Sequence, residues 1–356
     1  MTTTEDRAEQ AVAPGPTSAV DLFRTITAHH ESSAVHVAAK LGIADLIGDG
    51  AATHEELAGH TGANPDALLR LLRLLVSAGV LVEPEQTRFT LTAKGRHLRT
   101  DVPDSLHPFA LMMASPHHQH RWGELEDCVR NGRSVMEKEK HANPFAQMPE
   151  HMLEILGRAM TFFVTYTADA VVSTYDFTQF GTLVEVGAGR GILLSAILAA
   201  NPKLKGVLFE LPYMVEHARA RLADSDVLSR CDLVTGDFFE SVPEGGDAYL
   251  LNNVLHDWSD QRSVEILVNC HAAMRPGAKL LIVETLYPAQ FDSSIPSQIA
   301  ARSDVNMLLN TGAKERSRVD FAALVKAAGF ELQRILPIRP AWSGVASSSV
   351  VEAVRR

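Results

Sequence analysis

Three glycines alternate through Gly187-Ala188-Gly189-Arg190-Gly191, directly after the apolar run Leu183-Val184-Glu185-Val186 and before the helical pattern Ile192-Leu193-Leu194-Ser195-Ala196-Ile197-Leu198. Strand, tight turn and helix N-terminus in that order make a ligand-binding corner of an α/β sheet. Glycine is needed where the turn takes angles that a Cβ forbids and where a ligand lies against the main chain. The surrounding residue types narrow the ligand. A dinucleotide fingerprint needs a glycine at the position of Ile192, and a phosphate loop needs Gly-Lys-Ser/Thr after the turn; neither pattern is met. Glu185, two residues before the first glycine, would repel a pyrophosphate and suits a cationic ligand.

Further acids follow in order. Glu210, next to Leu211, ends the following strand, where an acid typically bonds both ribose hydroxyls of an adenosine. Gly236-Asp237-Phe238 follows the third strand, so Asp237 can accept from an adenine amino group while Phe238 packs on the ring. An adenosine with cationic centres and no phosphate is S-adenosyl-L-methionine, which becomes S-adenosyl-L-homocysteine on losing its methyl. Ordered together, these motifs say much more than a lone glycine turn.

The elements that must position these residues alternate strand and helix after Gly181, which predicts a parallel sheet. Strands are expected at 183–186, 206–210, 231–235, 248–252 and 279–284, with a last pair at 330–337 and 347–353. Helices are expected at about 190–200, 213–224, 260–275 and 317–328. Residues 179–356 thus read as a doubly wound, Rossmann-like domain. Residues 1–17 read as a disordered tail. Residues 18–105 begin with a helical pattern to about Ile47. Thr53 with Glu56 then offers a capping box, and Asn64-Pro65 opens a Leu-rich helix. Two short extended pieces follow, 80–82 and 88–91, separated by Glu83-Pro84-Glu85-Gln86. Helix, helix and β-wing outline a winged helix. Residues 106–178 read as a helical connecting region over the substrate site.

A winged helix raises DNA binding as a rival function. Charge argues against it: residues 51–100 hold six Lys/Arg against five Asp/Glu, and the whole chain carries a net charge of -10. A phosphate-reading face needs a far more basic stripe. The would-be recognition helix, with Arg70 and Arg73 among leucines, is expected to be mostly buried. An anionic membrane surface is disfavoured on the same ground. Cys128, Cys231 and Cys270 show no CxxC spacing, no run approaches the ~20 apolar residues of a membrane span, and the N-terminus lacks a signal pattern, so a cytoplasmic protein is expected. The cluster His117-His118-Gln119-His120 admits metal ligation. Without a second ligand set at matching spacing it reads instead as a polar helix start with Trp122 packed inward, and no metal is expected.

At this point the chain resembles the class I S-adenosylmethionine-dependent O-methyltransferases of the plant caffeate and bacterial secondary-metabolite type, which includes polyketide, phenazine and anthracycline enzymes. The resemblance covers nearly the whole chain. It is carried by 184–191, Gly236-Asp237-Phe238-Phe239, Asn253-Val254-Leu255-His256-Asp257-Trp258, Arg275-Pro276-Gly277-Ala278 and Gly312-Ala313-Lys314-Glu315-Arg316. It implies a homodimer formed through the N-terminal unit and a small hydroxyl-bearing substrate. One position departs: many relatives have Lys four residues before the catalytic His, where this chain has Asn252, which with Asn253 stays a cofactor candidate.

His256 follows the fourth strand at the carboxyl edge and is the expected general base. Imidazole, with a reference pKa near 6.5, faces a phenol of about 10, a mismatch of several kcal/mol unless proton removal accompanies attack. The resemblance implies two flanking acids, Glu284 and Glu315. Asp257 is expected to cap the helix that begins near Ser259. The resemblance also points to acceptor-lining residues: Asn306, Met307 and Asn310 on one helix, and Met160, Thr161 and Phe163 on another, with Trp122. C- or N-methylation, with or without a metal, is the rival within enzymes, as is a relative that binds the cofactor without transferring its methyl. A transcriptional regulator is the rival outside them.

Overall fold

The computed structural model describes residues 19–139, 150–338 and 348–356, so the N-terminal 1–17 segment lies outside the described residues. It divides into two compact units, 1–103 and 104–356.

In the first unit the expected single helical stretch is two helices, Ala19–Lys40 and Ile43–Ile47, broken where Gly42 takes φ +67°. A strand that sequence reading missed, β1 (Ala52–Thr53), comes next. Helix His54–Thr61 starts on the expected capping box: the Thr53 hydroxyl accepts from Glu56 N–H, and the Glu56 carboxylate accepts from Thr53 N–H. Helix Pro65–Ser77 starts on the Asn64 cap. Strands β2 (Leu81–Glu85) and β3 (Arg88–Leu91) then form the wing, with β3 between β1 and β2 and every pair antiparallel. The wing turn is shorter than expected, because Glu83, Pro84 and Glu85 stay in the strand. Helix Pro65–Ser77 buries only Leu68, Leu72 and Leu75, one stripe at i, i+4, i+7, so the expectation that most of it is buried fails. Its Arg73 is engaged by Glu83 of the wing at 3.1 Å.

The second unit opens with helices His107–Met113, Pro116–Gly123, Leu125–Asn131, Val135–Lys138 and Glu150–Thr174. The last of these holds a stretch, Glu154–Thr174, long and apolar enough by composition to span a bilayer, contrary to the sequence expectation. Its apolar side is used within the fold, since Ala168, Ala170 and Val171 join the core under the sheet.

Seven strands follow: β4 (Thr182–Val186), β5 (Lys205–Glu210), β6 (Cys231–Thr235), β7 (Ala248–Asn252), β8 (Lys279–Thr285), β9 (Phe330–Pro337) and β10 (Ser348–Arg355). Their order is β6-β5-β4-β7-β8-β10-β9. The first five are parallel, as expected; β10 runs antiparallel between β8 and β9. Strand alternation feeds two cores. Leu183, Leu208, Leu250 and Leu281 face helices Ile192–Ala200 and Pro212–Leu222 on one side. Val184, Val186, Leu251 and Ile282 face helices Asp260–Ala273 and Arg318–Ala327 on the other. Each such side chain, fully buried, contributes about 1.5–3 kcal/mol. The chain winds outward from β4 through β5 to β6, then returns to β7 on the other flank of β4. That reversal opens a crevice at the carboxyl ends of β4 and β7, where open α/β sheets bind ligands.

Candidate active site

Both loops that border the crevice are built by backbone demands. After β4, Gly187, Gly189 and Gly191 all take positive φ. A Cβ on Gly187 would lie 2.9 Å from Val254 and 3.5 Å from Phe238, so this turn is pinched between two side chains. At Gly189 nothing comes within 4 Å of a Cβ position, so the main chain there faces open space. This is a cradle lined by peptide groups. Arg221, which sequence reading missed, ties it down by donating to the carbonyls of Arg190 and Gly191, each at 3.0 Å.

Glu185 does not face that cradle. It is 1% exposed, and its carboxylate accepts from Leu194 N–H at 3.2 Å, in the first turn of the following helix. Burial pushes its carboxyl up to about 8. The expectation that Glu185 meets a cationic ligand is therefore corrected: it caps the helix from beneath the turn. Strand parity explains this, because residue 185 shares the face of Leu183, toward that helix.

The remaining adenosine candidates line the edge. Glu210 at the end of β5 accepts from Gly189 N–H and from Leu211 N–H, both at 2.8 Å, and burial raises its carboxyl. Each oxygen keeps acceptor capacity for a ribose hydroxyl. Gly236 donates to the Glu210 carbonyl at 3.1 Å, and Asp237 accepts from Phe239 N–H at 2.8 Å. The Phe238 ring stands edge-on to Phe239 and Trp258 beside Gly187. Asn252 holds its Oδ1 buried with no hydrogen-bond partner among the described residues, and Asn253 takes φ +52° as its N–H donates to Val283. An open peptide cradle, an acid at the ribose position and an unsatisfied amide oxygen fit an S-adenosyl-L-methionine molecule.

Across the crevice, His256 sits in a one-turn helix, Leu255–Asp257, after β7. Its Nδ1 lies 3.4 Å from Glu284 and 3.3 Å from Glu315. Glu284, next to last in β8, accepts from Val254 and Leu255 N–H at 3.0 and 2.9 Å, which fixes the histidine loop. Glu315 reaches the same atom because the chain at Arg316 pairs with Leu286, just beyond β8. Glu315 also accepts from the Ser303 hydroxyl at 2.6 Å, and its N–H donates to Asp304 at 2.8 Å, so helix Ile295–Asn310 is anchored here. Asp257 is not the helix cap expected of it. Ser259 takes that role, accepting from Arg262 N–H, while Asp257 lies 3.9 Å from His256 Nε2. Burial alone would lower the imidazole, but the carboxylates of Glu284, Asp257 and Glu315 outweigh it and raise His256 to about 10. The His256 side chain is 19% exposed, against 0% and 1% for Glu284 and Glu315, so of these three the imidazole alone is reachable.

Arg316, adjacent to Glu315 in the same motif yet passed over as a site residue, organises this turn. Fully buried, it donates to the carbonyls of Leu255 and Trp258, to Ser263 and to Asp260. His256, Glu284 and Glu315 also offer three ligand atoms within 4.8 Å of one another, and they are the one such group among the described residues. The imidazolium proton already supplies the positive charge that a cation would place between the carboxylates.

The acceptor candidates fall on two helices and a short third. Asn306 and Asn310 share a face, with Asn310 Nδ2 donating to Asn306 Oδ1 at 2.9 Å, and Met307 is partly buried beside them. In Glu150–Thr174, Gly157 lies against the Arg190 side chain, which brings this helix to the glycine turn. Met160 is 38% exposed, Thr161 donates to the Gly157 carbonyl, and Phe163 packs edge-on to Phe109. Trp122 packs on the small core of Cys128, Val135 and Leu309.

Compared with known proteins, residues 122–331 match the O-methyltransferase domain and residues 23–101 the O-methyltransferase dimerisation domain. The chain belongs to the O-methyltransferase family. A phenazine O-methyltransferase from Lysobacter antibioticus is 40% identical over 334 residues, 93% of this chain and 95% of that one. The solved structure of a mitomycin 7-O-methyltransferase superposes with a TM-score of 0.86 at 33% identity, covering 95% of this chain and 97% of the other. A neocarzinostatin-pathway O-methyltransferase, solved with S-adenosylmethionine and 2-hydroxy-5-methyl naphthoic acid, matches with a TM-score of 0.77 at 28% identity, covering 96% and 100%. This O-methyltransferase is an S-adenosyl-L-methionine-dependent enzyme, as the glycine corner predicts.

Proposed function

We propose that this O-methyltransferase methylates a phenolic hydroxyl of a small secondary metabolite, with His256 as the general base. Residues Glu210, Asp237, Phe238 and the 187–191 turn would hold S-adenosyl-L-methionine, which supplies an electrophilic methyl beside the crevice. The observation that carries the base assignment is the burial contrast at the triad. Glu284 and Glu315 are sealed from the crevice while the imidazole between them is open to it. Their charge also changes the energetics expected from sequence. With its conjugate acid near 10, neutral His256 matches a phenol of about 10, so the transfer itself is nearly level; the several kcal/mol expected of a weaker base fall instead on reaching the neutral imidazole at neutral pH. The acids hold the ring and stabilise the imidazolium; the base takes the hydroxyl proton as the oxygen becomes a nucleophile. Positioning of the acceptor by the 306–310 face and by Met160, Thr161, Phe163 and Trp122 supplies the rest.

The enzyme is further proposed to act as a cytoplasmic homodimer without nucleic-acid or membrane partners. Helix Ala19–Lys40 supports this, since Phe23 and Ile26 are each more than 60% exposed within the dimerisation-domain match, and Leu22 just before it is exposed to the same degree. A mass-spectrometric screen of phenols identifies the acceptor. On it, His256→Ala is expected to lower kcat by about 10²–10⁴-fold. Full turnover by that variant would refute the base assignment.

A further inference from the structure

Helix Pro116–Gly123 carries a cation that the reaction itself does not require. Arg121 is partly buried, and its guanidinium donates to Asn310 Oδ1 at 2.9 Å. No carboxylate pairs with it among the described residues. A half-buried guanidinium with five donors and one hydrogen bond among the described residues has the chemistry of an anion site. His117, one turn earlier on the same face, holds Nε2 buried with no hydrogen-bond partner among the described residues. Burial, reinforced by the Arg121 charge, lowers that imidazole and so disfavours its charged form, against the opposing pull of the Glu139 carboxylate.

The location sets a length. Asn310 belongs to helix Ile295–Asn310, and the same helix touches the catalytic cluster through Ser303, whose hydroxyl bonds Glu315. Ser303, Asn306 and Asn310 lie on one stripe at i, i+3, i+7, and at 1.5 Å per residue the stripe runs about 10 Å. The Arg121 donors, held on Asn310, therefore stand about 10 Å along the helix from the histidine triad.

We infer that Arg121, seconded by His117, binds a carboxylate on the methyl acceptor, at the end of a fused-ring aromatic opposite the hydroxyl held at His256. This rests on the reading of His256 as the point where that hydroxyl reacts. The site would make the enzyme selective for aromatic hydroxy acids of two or more rings over their neutral analogues. The Arg121 fork offers two parallel N–H bonds to a carboxylate, and an amide cannot replace them.

Three probes test this: 6-hydroxy-2-naphthoic acid, its carboxamide and 2-naphthol. Calorimetry with protein loaded with S-adenosylhomocysteine measures binding apart from methyl transfer. The acid is expected to bind at least ten-fold more tightly than the carboxamide. Arg121→Gln should bring that preference to about one. Asn310→Asp should do the same by supplying Arg121 with an internal carboxylate, in a geometry that keeps the contact and the fold. Equal affinity for acid and carboxamide in the unaltered protein, or a preference that survives both variants, overturns the inference. Failure of the base reading looks different: acid preference persists while His256→Gln leaves methyl transfer unchanged.

Discussion

Replacing Glu315 with Gln tests the electrostatics of the site most directly. The change removes one charge, keeps an oxygen for the Ser303 hydroxyl and leaves the side-chain volume nearly unaltered. In the native site His256 is raised from 6.5 to about 10, a preference for imidazolium of about 5 kcal/mol. Glu284 and Glu315 face Nδ1 at 3.4 and 3.3 Å, with Asp257 farther off at 3.9 Å from Nε2. One carboxylate at this range moves a neighbour's pKa by about 1–3. Glu315→Gln should therefore bring the His256 titration down to between about 7 and 9. The assay is the pH dependence of the His256 Cε1–H resonance in protein loaded with S-adenosylhomocysteine, because an acceptor phenol titrates in the same range and would blur a rate profile. Turnover should follow: the alkaline limb moves down with the resonance, and the plateau above it falls because the base is weaker. Stability gives a second readout. A folded pKa above the unfolded one stabilises fully below about 6.5 and loses that contribution as pH rises toward about 10. The unfolded value is common to both proteins, so the Tm advantage of the native protein over the variant should hold up to the variant's own His256 midpoint and shrink from there to about 10. A native midpoint near 6.5, or midpoints that agree within about half a unit, would refute the reasoning.

Four further outcomes are expected. Gly187→Ala should weaken S-adenosylhomocysteine binding ten-fold or more in calorimetry, since left-handed backbone costs about 1–2 kcal/mol and the new Cβ meets Val254 at 2.9 Å. Glu210→Ala should weaken the same binding at least as much, because Gly189 N–H loses its acceptor as the ribose loses its own; unchanged affinity would remove Glu210 from the site. Arg316→Ala should destabilise the enzyme by about 3 kcal/mol or more in urea denaturation, by leaving the buried carbonyls of Leu255 and Trp258 without donors. Prolonged chelation followed by metal analysis should leave turnover unaltered, and a loss restored by one divalent cation would reassign His256, Glu284 and Glu315 as ligands.

Local chemistry was readable in the residues alone. Caps at Thr53 and Asn64 announce themselves because a side chain bonds a backbone N–H only three residues away. The parallel strands are visible as apolar runs because both faces of a doubly covered sheet are buried. The glycine turn and the acid that ends β5 follow the same logic, and they name the cofactor. Strand parity also places Glu185 on the face of Leu183, toward the following helix, whatever its charge.

What required the tertiary structure was everything set by pairing between distant segments. The insertion of β10 between β8 and β9 leaves no mark in either strand, since ladder partners are chosen by the whole sheet. Glu284 and Glu315 were named through resemblance, but their meeting on one nitrogen depends on the chain at Arg316 returning beside β8. From that meeting comes the basicity of His256, because Coulomb energy depends on distances and burial that no sequence spacing encodes. The sequence by itself determined the cofactor class and which side chain is proposed to take a proton. The folded sheet decided how strong a base that side chain is, by closing two acids behind it.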